Sequence, residues 1–191
     1  DDWMMDFSLL PVGGDLPRPK TGRRRGTHST ACKCPNPSYE RPAHYKNLPG
    51  ALGSLINKGK KSQIDFSASS LFVMLRDDMG RKRHFKSERR SLINAFVPLI
   101  SNHVDLVDDT ISLDLQSMAN ALSPKDEQGQ VIRSQEVTVS RLSNLINEVF
   151  IACKMMVVIG SEGASKAGGL IWDKVNQIWF PKVMYITERF W

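Results

Sequence analysis

The clearest helical pattern in the sequence lies at residues 137–150, Val-Thr-Val-Ser-Arg-Leu-Ser-Asn-Leu-Ile-Asn-Glu-Val-Phe. Six apolar residues recur there at three- and four-residue spacing and predict one buried face: Val139, Leu142, Leu145, Ile146, Val149 and Phe150. The opposite face carries Ser140, Arg141, Ser143, Asn144 and Asn147. Many amphipathic helices of this kind are only core helices with a solvated outer face. The same polar side chains are also typical of a DNA recognition helix, because Arg binds guanine and Asn binds adenine in the major groove.

The residues after this helix indicate β-structure. An apolar run at 155–159 and a β-rich run at 178–187 are separated by other residues that include a glycine-rich stretch at 160–169. We interpret the glycine-rich stretch as a mobile insertion and residues 173–177 as the turn of a hairpin. A helix-turn-helix followed by a hairpin is typical of a winged helix. The sequence therefore predicts an α+β fold, a helix-turn-helix with a small antiparallel sheet.

Three predicted elements precede the recognition helix. The first is a helix with Ser87 as its N-cap and Glu88 in its first turn, which Pro98 should kink or end near Val97. Alternating residues at 103–113 predict a tight hairpin. Asp114 is then placed to cap a short helix at residues 115–122, the first helix of the helix-turn-helix. Polar residues 123–136 connect that helix to the recognition helix.

The first 50 residues differ in composition from the rest of the chain. They contain seven of the ten prolines, and proline prevents long helices. We therefore predict an extended basic N-terminal arm over residues 1–50, followed by a winged-helix DNA-binding domain over residues 51–191.

Positive charge is concentrated in the N-terminal half. The net charge is +6, but residues 18–90 carry 18 Lys/Arg against 5 Asp/Glu, a net of +13, whereas residues 91–191 carry 8 against 11, a net of −3. This excess indicates a polyanionic partner, and the simpler alternative is a solubilising surface. For double-stranded DNA, we predict backbone contacts from Arg23, Arg24, Arg25, Lys58, Lys60, Lys61, Arg81, Lys82, Arg83, Lys86 and Lys166. We predict base contacts from Ser140, Arg141, Ser143 and Asn144.

The sequence predicts no cofactor, metal site or catalytic site. Cys32 and Cys34, with His28 and His44 nearby, are spaced Cys-x-Cys, which does not fit structural zinc sites. The four histidines form no His-x-His pair of the kind a rolling-circle nickase needs. Three cysteines, an odd number, suit a reducing cytoplasm better than a disulfide framework. The apolar runs are far shorter than a membrane span requires.

Several short motifs occur in an order that resembles one known family. Residues 34–39, Cys-Pro-Asn-Pro-Ser-Tyr, are similar to an Asn-Pro-Asn-Pro-aliphatic-aromatic signature. Residues 140–144, Ser-Arg-Leu-Ser-Asn, resemble a hydroxyl-Arg-x-hydroxyl-Arg recognition helix, although Asn144 stands where a second Arg is frequent. Residues 172–173 and 180–181 resemble the aromatic-Asp and aliphatic-Pro pairs of a wing. The family is the IncFII-type RepA plasmid replication initiators, and the resemblance covers about residues 33–187.

The resemblance implies a non-enzymatic protein of the bacterial cytoplasm. Such an initiator binds the plasmid origin, helps to open an adjacent AT-rich segment and recruits the host initiator and helicase. It also implies that the chain is an N-terminal fragment without a C-terminal basic DNA-binding region, and a homodimer is a further expectation. Two alternatives stay open, since winged helices serve both: a transcriptional repressor and a protein–protein interaction module.

Overall fold

The computed structural model describes residues 32–41, 65–78, 80, 83–111, 113–160 and 163–191. All of them belong to the unit Cys32–Trp191. The helices are α1 (Ser70–Asp78), α2 (Ser87–His103), α3 (Leu115–Leu122) and α4 (Val139–Leu145), and α4 continues as a π-helical segment, Ile146–Ile151. Short 3₁₀ turns lie at Phe66–Ala68, Arg133–Gln135 and Glu188–Phe190.

Six strands form two antiparallel sheets. The strands are β1 (Thr110–Ile111), β2 (Met156–Gly160), β3 (Gly163–Ser165), β4 (Leu170–Asp173), β5 (Ile178–Pro181) and β6 (Val183–Ile186). The larger sheet has the order β1-β6-β2-β3, so β6 returns between the first and second strands, and β4 and β5 pair separately as a hairpin. The protein is therefore a mixed α+β structure, as the sequence predicts.

The core is built from the apolar faces of α2, α3 and α4, covered by the inner face of the larger sheet. Leu145 and Val149 are buried in it as predicted, and the Phe150 ring meets Phe96 edge-to-face with centroids 5.0 Å apart. Alternation along β6 places Met184 and Ile186 inward. The helix-period pattern thus identified the buried face of α4 correctly.

Helix boundaries follow local signals with two exceptions. The predicted helix at 115–122 is confirmed, and the Asp114 side chain caps it by accepting from the Ser117 N–H at 2.6 Å. Ser87 is not the N-cap that we predicted, because α2 begins at that residue and Lys86 occupies the cap position without a side-chain bond. The prediction that α2 ends near Val97 is also wrong, since it continues through Pro98 to His103. Both Val97 and Pro98 are buried, so packing offsets the hydrogen bond that proline cannot donate.

Two of the predicted connections differ from expectation, in opposite directions. The hairpin at 103–113 reduces to a single bridge between Val104 and Ile111, because β1 pairs mainly with β6. The glycine-rich stretch is not a structureless insertion: Gly163–Ser165 forms β3 against the end of β2. The predicted turn at 173–177 is confirmed between β4 and β5.

A polar cluster lies between the 3₁₀ turn Phe66–Ala68 and helix α2. The Asp65 carboxylate accepts from the Ser67 N–H at 3.1 Å, from Asn94 Nδ2 at 3.0 Å and from the Arg90 guanidinium. Burial opposes ionisation of Asp65, but the hydrogen bonds from Ser67, Asn94 and Arg90, together with the Arg90 charge, outweigh it and lower its pKa to about 2. This cluster joins the turn before α1 to α2.

Among the described residues, no helix is both long enough and apolar enough to cross a membrane.

Candidate nucleic-acid interface

Helix α4 presents a narrow exposed strip to solvent. The Thr138 hydroxyl caps it by accepting from the Arg141 N–H at 3.3 Å, so the helix proper begins at Val139. Ser140 and Asn144 are exposed, and their spacing of four residues places them on one face. Of the four predicted base-reading residues, these two have the exposure that a contact with DNA requires.

Arg141 does not have the exposed position that we predicted. It is half-buried, and its guanidinium donates to the carbonyl oxygens of Cys34 and, at 2.7 Å, of Glu88. These carbonyls belong to the N-terminal segment and to the first turn of α2. Because the guanidinium donates to two backbone oxygens inside the protein, Arg141 joins three parts of the domain. The hydroxyl-Arg pattern contains no signal for either partner, since they lie 107 and 53 residues away.

Ser143 is also turned toward the protein. Its hydroxyl donates to the Ala167 carbonyl at 2.8 Å, and Asn147 brackets the same residue by accepting from the Ala167 N–H at 2.7 Å. The loop at 165–169 therefore packs on α4 through its backbone. Gly168 permits this approach, because it has a φ of +99° and a Cβ there would lie 3.2 Å from the Ser143 hydroxyl. We did not predict a role for Asn147.

The segment 32–41 packs on the domain, although the sequence assigns it to the arm. Cys34 and Tyr39 are buried, and the Tyr39 hydroxyl lies 3.1 Å from His103 Nε2 at the end of α2. Lys33 forms an ion pair with Glu136 at 3.1 Å. The segment therefore contacts helix α4, through Arg141, and the residues that precede it, through Glu136. The rest of the predicted arm lies outside the described residues.

The cysteines of this segment are not in equivalent surroundings. Burial raises the pKa of the Cys34 thiol, against the opposing effect of the Arg141 charge, and Cys32 is only half-buried. In the part of the chain that the structure describes, no three His, Cys, Asp or Glu side chains form a possible metal cluster. His28 and His44 lie outside that part.

Three of the predicted backbone-contacting residues are described, and all three are exposed: Arg83, Lys86 and Lys166. Lys86 lies two residues before Glu88 and Lys166 lies one residue before Ala167, so each precedes a residue bonded to α4. Two exposed cations are therefore close in sequence to residues that bond to α4. Arg89 forms an ion pair with Glu148, whose carboxylate oxygen lies 2.7 Å from the guanidinium. The remaining predicted contacts lie outside the described residues: Arg23, Arg24, Arg25, Lys58, Lys60, Lys61, Arg81 and Lys82.

The β4–β5 hairpin is tied to the same surface. Lys182, which follows β5, donates to the Ser165 hydroxyl at 2.8 Å and to the Lys166 carbonyl at 3.1 Å. The loop that it holds is the one bonded to Ser143 and Asn147. The loop backbone at residues 166–167 thus links the base of the hairpin to helix α4, through the bond from Lys182 on one side and the bonds with Ser143 and Asn147 on the other.

Comparison with known proteins points to replication. Residues 27–191 match the IncFII RepA protein family. Three curated relatives from Escherichia coli, each named "Replication initiation protein", are 36% identical to this chain over 183 residues. The match covers 91% of this chain and 51% of each relative, so the chain spans about half the length of the curated relatives it matches. No solved structure matches the chain.

Proposed function

The chain belongs to the IncFII RepA protein family, and from this premise we propose that it binds plasmid origin DNA through helix α4 and takes part in initiating replication. The observation that carries the proposal is the exposure of Ser140 and Asn144 on one face of α4, together with the exposed cations Lys86 and Lys166 near residues that bond to α4. Asn can bind adenine N6 and N7 in the major groove, and a hydroxyl can bind any base edge. Base readout is therefore assigned to these two side chains, and Arg141 and Ser143 hold the surfaces beside them.

We propose that the domain is a winged helix. The element order α2, β1, α3, α4, β2, β6 and the strand order β1-β6-β2 support this topology, in which the second helix of a helix-turn-helix is followed by a returning hairpin. In this assignment α3 is the first helix of the helix-turn-helix and α4 is its recognition helix. The β4–β5 hairpin, with its turn at 173–177, is then the outer part of the wing.

Backbone contacts are assigned to Arg83, Lys86 and Lys166, in addition to the predicted cations outside the described residues. Each phosphate contact adds about 0.9 to the slope of log K against log salt. Replacing Arg83 and Lys86 together by Ala should flatten that slope by about 2 if both touch DNA, with sequence preference unchanged. A lost preference with an unchanged slope would place these residues in a groove.

The same proposal includes three further steps: opening of the origin, recruitment of the host initiator and helicase, and homodimerisation. It includes no catalytic step. Footprinting on the plasmid origin followed by permanganate oxidation of unpaired thymines tests the central part. An initiator protects its site and makes thymines in a neighbouring AT-rich segment reactive. A winged-helix repressor protects its site without that reactivity, and a protein–protein module shows no salt-dependent DNA binding.

A further inference from the structure

We propose that the exposed face of the β4–β5 hairpin binds unpaired bases of single-stranded DNA by stacking them on Trp172 and Trp179. The inference rests on the proposed function and deepens it, because it assigns the opened strand, and not only the duplex, to a surface of this chain. Stacking on aromatic side chains is tolerant of sequence, since every base has a π-face.

The two tryptophans form a cross-strand pair. Trp172 on β4 and Trp179 on β5 are directly opposite in the register, with ring centroids 5.1 Å apart and planes inclined by 49°. Their mutual contact leaves much of each ring accessible, because Trp172 is 41% and Trp179 61% exposed. Leu170 and Pro181 form the next pair on the same face. The result is an apolar, largely aromatic surface.

This face is not the packing face of the hairpin. The alternate pair, Ile171 and Phe180, is half-buried, so the hairpin packs with that side. A cross-strand aromatic pair stabilises a hairpin by itself, but that role does not require both rings to be open to solvent.

The turn holds the hairpin in shape before any ligand binds. The Asp173 carboxylate accepts from the Val175 N–H at 2.8 Å and from Asn176 Nδ2 at 2.6 Å. Turn closure by these bonds fixes the separation of the strands and hence of the two rings. A preorganised platform loses less conformational entropy when it binds a flexible strand.

Charge favours a nucleic acid as the occupant. Three lysines, Lys166, Lys174 and Lys182, lie in or next to the hairpin, whose turn contributes Asp173, and the next acids along the chain are Glu162 and Glu188. Lys166 and Lys174 are exposed, and Lys182 connects the hairpin base to the loop bonded to α4. The base of the hairpin is therefore connected, through this loop and its bonds with Ser143 and Asn147, to α4, the helix proposed to read the duplex. A strand that separates beside that duplex passes within reach of cations and exposed rings.

The direct test is tryptophan fluorescence with oligo(dT) of 20 nucleotides as the probe. The chain has four tryptophans, so the double variant Trp3→Phe/Trp191→Phe leaves only the hairpin pair. Stacked bases quench tryptophan emission, and we expect saturable quenching on titration with the oligonucleotide. Binding without any quenching would overturn the inference, because bases that stack on the two rings would change their emission. A tryptophan pair with only a structural role would leave the emission unchanged.

Variants test the contribution of each ring. Trp172→Ala and Trp179→Ala should each weaken oligo(dT) binding about tenfold, as measured by anisotropy at fixed salt, and leave the affinity for a duplex origin fragment unchanged. Trp179→Phe keeps a stacking ring and the cross-strand pair, so it should stay within about threefold of the parent. Trp191→Ala is the matched control, since Trp191 is 53% exposed outside the hairpin, and it should change neither affinity.

Other outcomes have distinct meanings. If the alanine variants keep full oligo(dT) affinity but sediment as smaller particles than the parent, the face is an interface with a second copy and the inference is wrong. If the parent binds duplex but not oligo(dT), this inference alone fails. If it binds neither, the proposed function fails with it.

Discussion

Replacing Arg141 by Ala tests the difference between its predicted and observed positions. The side chain donates to the carbonyls of Cys34 and Glu88 and is half-buried. A hydrogen bond from a charged group contributes about 1.5–3 kcal/mol, and its loss leaves two partly buried carbonyl oxygens without this donor. Allowing for partial exposure and some replacement by water, we expect the free energy of unfolding to fall by about 2–4 kcal/mol.

The assay combines thermal melting with DNA binding. For a domain of this size, such a loss lowers Tm by about 5–15 °C. Arg141→Lys should recover part of the stability, because an ammonium is a single point donor and does not have the fork that reaches both carbonyls. Arg133, which is exposed in a 3₁₀ turn, provides the matched control, and Arg133→Ala should leave Tm within about 1 °C.

The competing hypothesis makes the opposite prediction for Arg141. A base-reading guanidinium would cost about 1–3 kcal/mol of specific binding and relax the preference at one base pair, with little change in Tm. An unchanged Tm with a lost base preference would refute the structural role assigned here and restore the one that the sequence pattern predicts.

Three further predictions follow from the described contacts. Leu145 is 1% exposed, so Leu145→Ala should lower the free energy of unfolding by about 2–5 kcal/mol in urea titrations; an unchanged midpoint would mean that α4 faces the wrong way. The pKa of Asp65 is depressed to about 2 from 3.8, so its stabilisation is present above about pH 4 and is lost as the pH falls toward 2. Because solvent screens this site, the stabilisation amounts to about 1 kcal/mol. Asp65→Asn should therefore flatten the acid limb of the curve of stability against pH, and an unaltered acid limb would contradict the role of the Asp65 cluster. Cys32→Ser should leave folding and DNA binding unchanged, whereas Cys34→Ser should cost about 1–3 kcal/mol of stability because Cys34 is buried. Stoichiometric zinc in the purified protein would overturn the prediction of no metal site.

Elements with local signals were predictable from the sequence. Helix α3 has its cap, Asp114, and its apolar period within nine residues, and its predicted bounds are confirmed. The buried face of α4 follows from the same periodicity. Helix α2 shows the limit of such rules, because it continues through the buried Pro98, and the burial of that residue is not visible in the local sequence.

The roles of polar residues on α4 were not predictable in the same way. Arg141 and Ser143 are as polar as Ser140 and Asn144, and periodicity places all four off the apolar face. The difference is that Arg141 and Ser143 donate to backbone carbonyls of Cys34, Glu88 and Ala167, which the fold places beside α4. A guanidinium has only donors, and it donates to carbonyl oxygens that the fold brings within reach. The residue type alone therefore does not show whether an arginine binds DNA.

The most direct test of base readout by α4 is the ratio of affinities for origin and random duplex DNA in Asn144→Ala, measured at one salt concentration. Asn144 is exposed, so the variant should fold with the parent's Tm and keep its salt slope. We expect the ratio to fall by the equivalent of about 1–3 kcal/mol, which is roughly five- to 150-fold. An unchanged ratio in a folded, DNA-binding variant would contradict the assignment of Asn144 as a base-reading residue.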